Sequence, residues 1–66
     1  MRRTVIVHII NEDPILAEIE DLPSPTDTNV TVFNPRRRDG KPVHYITAGA
    51  TAVVFPWHRI TFLEIM

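Results

Sequence analysis

The closing segment Val53–Met66, VVFPWHRITFLEIM, constrains this chain more than any other stretch. Past Pro56 an extended strand alternates its side chains, setting Ile60, Phe62 and Glu64 on one face and Thr61, Leu63 and Ile65 on the other. Both faces carry large apolar groups, so the strand has to be covered twice. Ile60 and Phe62 are expected to fill the chain's own core. Leu63 and Ile65 then form an oligomer interface, covered by a second copy of the chain. Arg59 and Glu64 are the only charges past Pro56, too few to blunt a free strand edge.

Size points the same way. The 66 residues read as one domain, 1–66, of a size that buries only about 60% of the surface exposed by the unfolded chain. Such domains usually gain stability from disulfides, a metal or oligomerisation. The absence of cysteine removes disulfides, thiolate zinc sites and Cys nucleophiles. His8, His44 and His58 have no short ligand spacing between any two of them, so no metal is expected. No cofactor motif is present, and the expected cofactor set is empty.

Net charge is −1, but the charges are segregated. Six acids and no base lie between Asn11 and Thr28, whereas Arg36, Arg37, Arg38 and Lys41 share a short stretch with one acid, Asp39. Overall charge therefore exerts no pull on nucleic acid or membrane, though a local basic spot exists. No apolar run approaches the roughly 18 residues of a bilayer span. Met1-Arg2-Arg3 before TVIVHII resembles a signal peptide only in outline. The run is short, is broken by His8, and meets Glu12-Asp13 where a small-residue cleavage site would be. A cytoplasmic location is the expectation.

β-Branched Thr4–Ile10 reads as a strand, followed by a turn at Asn11–Pro14. Ile15–Leu22 fits a strand with Ile15, Ala17 and Ile19 inward and Glu18 and Glu20 outward. A short helix capped by Asp13, with Pro14 at its first position, is the other reading. The strand is preferred because nine residues ending at Pro23 make a marginal helix. Pro23–Asp27 is a loop and Asn29–Asn34 a third strand. Asp39-Gly40 signals a type I′ hairpin, with Val43–Ile46 as the returning strand. Thr47–Thr51 is a turn of small residues, Ala52–Phe55 opens the closing segment, and Pro56 begins a 3₁₀-like corner. Several short strands in so few residues bury their apolar face best as one strongly bent sheet. The fold class is all-β, a small five-stranded barrel.

The closing VVFPWHRITFLEI and the opening TVIVHIINEDPILAEIEDL resemble the last and first elements of the small SH3-like barrels, above all the Sm-like (Hfq-like) group. In that group the last strand follows a short helical corner and pairs with a neighbouring subunit to build a ring. The resemblance implies a five-stranded SH3-like or Sm-like barrel that assembles with itself. It carries over no RNA-binding residue. Pro35-Arg36-Arg37-Arg38 stands where that group has an Asp/Asn-rich turn, and Pro56-Trp57-His58-Arg59 does not match its closing signature.

Two clusters are candidate binding sites. Arg36, Arg37, Arg38 and Lys41 are cations that a phosphate backbone would meet, although no aromatic residue is interleaved for base stacking. Trp57, His58 and Arg59 offer a stacking ring, a titratable imidazole and an anion grip for a ligand or partner. Otherwise Trp57 plugs one barrel end and Arg59 pairs with an acid such as Glu64 or Glu20. Catalysis lacks a constellation: Ser24 is the only serine and has no adjacent His, and nothing apolar flanks Glu18 and Glu20 to raise a pKa. The reading is of a non-enzymatic, homo-oligomeric interaction module that presents charged loops to a protein partner. The alternative is an RNA- or DNA-binding ring that uses the basic tip.

Overall fold

The computed structural model describes residues 2–22 and 26–66. Ser24 and most of the expected 23–27 loop lie outside the described residues. Five strands form one antiparallel sheet: β1 (Arg3–Ile9), β2 (Ile15–Ile19), β3 (Asn29–Arg37), β4 (Ala52–Pro56) and β5 (Ile60–Ile65). Their order across the sheet is β4-β3-β2-β1-β5, and the sheet curls into a half-barrel. A 3₁₀ turn at Trp57–Arg59 joins β4 to β5. No helix among the described residues is long and apolar enough to cross a membrane.

Alternation decides which residues go inside. On β1, Val5 and Val7 are fully buried, and they stand opposite Ala17 and Ile15 of β2. On the concave face these join Ile9, Ile19, Val30, Val32, Phe55 and Ile60 in one apolar cluster. Thr4, Ile6, Leu16 and Glu18 take the alternate positions of the same two strands and are only half-buried. Ile15–Leu22 is thus a strand over Ile15–Ile19 and not a capped helix, and Leu22 is exposed beyond its end.

Two bulges bend the sheet. In β3, Leu16 faces Arg36 and Glu18 faces Phe33, so three residue steps on one strand oppose two on the other. The extra length is taken up at Asn34, whose φ of 54° lies in the left-handed region that Asn tolerates better than most residues. Pro35 follows within β3. In β5, His8 faces Phe62 while Ile9 faces Ile60, leaving Thr61 as the extra residue. That bulge corrects the expected faces of the closing strand. Ile60 and Leu63 both turn to the core, with Leu63 opposite buried Val7, whereas Phe62 lies on the convex face and is 49% exposed.

The 38–51 segment departs from expectation as well. Val43–Ile46 is not a strand, because Ile46 N–H donates to Val43 O and Ala50 N–H to Thr47 O, folding the segment into successive turns. Pro42 supplies no donor that would start a ladder there. The segment acts as a cap, sending Val43 into the core with half-buried Ile46 beside it. Asp39-Gly40 does form a tight turn, but Gly40 alone has positive φ, so type I′ is excluded. Gly40 N–H donates to Arg37 O and Arg37 N–H to Lys41 O, both at 2.8 Å, which is a three-residue loop closed by a left-handed glycine.

Placing a β-branched side chain at left-handed Asn34 is expected to cost about 1–2 kcal/mol. Asn34→Val should therefore shift the urea midpoint down, and Asn34→Gly should leave it nearly unchanged, with the single Trp57 as the fluorescent reporter. Equal midpoints for Asn34→Val and the wild type would contradict a bend made at this residue.

Candidate functional site

The basic tip is less free than its sequence implies. Arg36 is half-buried and reaches back across the convex face, its Nη1 donating to Glu18 Oε2 at 3.0 Å and to Asn34 O at 2.8 Å. Arg37 lies 3.4 Å from Asp39 Oδ2. Asp39 also accepts the Lys41 backbone N–H, which holds the turn shut. Among the described residues Arg38 and Lys41 form no ion pair and are exposed. Four neighbouring cations in sequence thus leave two unpaired in space.

Trp57, His58 and Arg59 do not converge. Successive residues of a 3₁₀ turn diverge by about 120°, and these three go to different places. Trp57 packs partly buried against the core, and its backbone N–H donates to Thr28 O. His58 is exposed. Arg59 pairs with neither expected acid: Glu64 lies 2.5 Å from His8 Nε2, and Glu20 lies 3.1 Å from Arg2. On the convex face the His8 ring stacks on Phe62 at 3.9 Å between centroids. Arg2 sits 4.3 Å over the Phe33 ring and also approaches Glu18 at 3.8 Å. Exposed pairs of this kind contribute little individually, about 0–1 kcal/mol.

The Leu63 and Ile65 pair divides. Leu63 is packed against its own chain's core, and Ile65, opposite Val5 on the same concave face, remains 45% exposed. The groups left uncovered near the sheet edges are Ile65, Phe62 and Val54, the last 58% exposed on the convex face of β4.

Arg59 faces a feature that the sequence did not reveal. With Ile9, Glu12, Tyr45 and Phe55 it lines a cleft of about 270 Å³ at one end of the half-barrel. Ile9 and Phe55 are buried and form its floor. Ile10 N–H donates to Arg59 O at 2.9 Å, binding the 3₁₀ corner to the β1–β2 turn, and Glu12 N–H donates to Ile9 O at 3.2 Å within that turn. Asn11 adopts a φ of 63° there. Tyr45 comes from the 38–51 cap, where His44 meets its ring edge-on and also lies 3.9 Å from Glu12. No spacing rule joins positions 9, 12, 45, 55 and 59; only the closed fold does. No three His, Cys, Asp or Glu side chains among the described residues are grouped as a metal site requires.

Burial, and secondarily the Glu12 carboxylate, raise the Tyr45 phenol above its ordinary pKa of 10.0. The folded chain therefore holds this proton to higher pH than the unfolded chain. The resulting stability is complete below pH 10.0 and is lost as pH rises through the raised value. Tyr45 is the only tyrosine, so phenolate absorbance reads it directly. The midpoint is expected above 10.0. Glu12→Gln should bring it part of the way down, because burial remains. A midpoint at or below the ordinary value would contradict the partly buried position of this ring.

No protein-family model matches the chain, and no similar curated protein or solved structure was found.

Proposed function

We propose that this chain is a non-enzymatic interaction module that assembles head to tail with copies of itself, β4 of one copy pairing with β5 of the next. The observation that carries this reading is the pair of open edges. β4 and β5 stand at opposite ends of the sheet order, and an unpaired edge is a template for another strand. Soluble proteins usually protect such edges with charge. β4 (AVVFP) has none, and the one charge of β5, Glu64, is engaged by His8.

The side-chain pattern favours one pairing. Antiparallel addition with Val54 opposite Phe62 of the next copy also sets Val53 opposite Leu63, continuing the concave core across the junction. Val54 and Phe62 are then covered together; each is already about half covered, so the contact contributes about half of the roughly 1.5–3 kcal/mol of full burial for each. Two different edges make the contact heterologous, and such contacts close into rings when the rotation permits. The 3₁₀ corner before the last strand fits the Sm-like arrangement. A ring of this kind presents the Arg36–Lys41 tips and the acidic Glu12 turns repeatedly to a protein partner. The Glu18 and Asp39 pairings reduce the charge that a phosphate backbone would meet, so assembly is favoured over nucleic-acid binding.

Val54→Arg and Phe62→Glu change side chains that the isolated chain leaves about half exposed, so both variants should keep the β-sheet spectrum. Sedimentation equilibrium at micromolar concentration should show wild type as an oligomer and both variants as folded monomers. Leu63→Glu should instead unfold the chain, since it places a charge against its own core. Arg37→Ser should change neither mass nor stability. A folded wild-type monomer would overturn the proposal.

A further inference from the structure

We propose that the cleft formed by Ile9, Glu12, Tyr45, Phe55 and Arg59 binds a free α-amino acid with a large apolar side chain. The cleft has three chemical parts: an apolar floor of Ile9 and Phe55 walled by Tyr45, a carboxylate on Glu12, and a guanidinium on Arg59. An apolar amino acid has the matching three parts. Its side chain enters the hollow, its ammonium faces Glu12, and its carboxylate accepts paired N–H bonds from the planar Arg59 fork.

Charge complementarity selects this occupant. Arg59 makes no ion pair or side-chain hydrogen bond among the described residues, and it does not pair with Glu12 although both line the cleft. Among the described residues the His44 imidazole, at 3.9 Å, is the one basic group within ion-pairing reach of Glu12. The Ile10–Arg59 and Ile9–Glu12 backbone bonds fix the main chain at both positions before any ligand arrives, which reduces part of the ordering cost of binding. At about 270 Å³ the cleft lies just below the usual range of roughly 300–1,000 Å³ for ligand pockets. It suits one amino acid and not an extended chain. A nucleotide fits less well, because phosphate beside Arg59 would also meet the Glu12 carboxylate. The wider hollow on the convex face, lined by Arg2, Glu18 and Phe33, offers no such match, since its charges already pair with one another.

The test is an NMR titration of the full chain with L-phenylalanine, phenethylamine, 3-phenylpropionate, N-acetylphenylalanine amide and guanosine monophosphate. L-Phenylalanine is expected to give saturable shifts at Ile9, Glu12, Tyr45, Phe55 and Arg59. Each of the other four should bind at least about tenfold more weakly, because each lacks at least one of the three parts or brings an ill-matched charge. Arg59→Gln should weaken phenylalanine by about tenfold and not weaken phenethylamine, while Glu12→Gln should weaken phenylalanine and not weaken 3-phenylpropionate. No saturable shift up to about 10 mM phenylalanine would overturn the proposal. So would equal affinity for the capped amino acid or the nucleotide, or binding indifferent to both substitutions. None of these readings depends on the mass of the assembly.

Discussion

β3 pairs with β4 through Asn29–Phe33 and with β2 through Phe33–Arg37, and the left-handed bend at Asn34 lets one strand serve both neighbours. A flat five-stranded sheet of this size would expose one whole apolar face. The bend, with the second bulge at Thr61, curls the sheet until Val5, Val7, Ile15, Ile19 and Val32 meet on its concave side. Bulges raise local twist and re-aim side chains, and here they decide which residues become core. They also leave the sheet open. The same curvature that gathers the core sets β4 and β5 at two separate edges.

That openness links packing to function. A closed barrel has no edges to offer, whereas this half-barrel has two, both nearly free of charge. Val54 and Phe62 stay about half exposed, Phe62 with the His8 ring stacked against it. The 38–51 cap shows what the chain can cover by itself: it inserts Val43 and seals one end of the core. In doing so it brings Tyr45 beside Glu12 and Arg59, so the cleft is a by-product of closing the half-barrel.

Period-2 alternation was legible wherever a strand ran straight. Ile15, Ala17 and Ile19 read inward from sequence and are buried in the fold. Legibility failed at each irregularity. One extra residue at Thr61 inverted the assignment of Phe62, because any shift by one residue exchanges the two faces. Val43–Ile46 carries β-branched and aromatic residues, yet it turns, because its neighbour β3 is already paired with Ala52–Pro56. The basic tip was visible, but the Glu18 carboxylate that neutralises Arg36 lies eighteen positions away in sequence and adjacent only across the sheet. The cleft was invisible for the same reason, its five residues coming from β1, the turn after it, the 38–51 cap, β4 and the 3₁₀ corner.

Amide hydrogen exchange at the two sheet edges tests the central claim most directly. If β4 and β5 pair between copies, their outward-facing amides should be protected at micromolar concentration and lose that protection on dilution. The β1 and β2 amides between them should stay protected throughout. Edge amides that exchange freely at every concentration, while the central strands remain protected, would contradict the account.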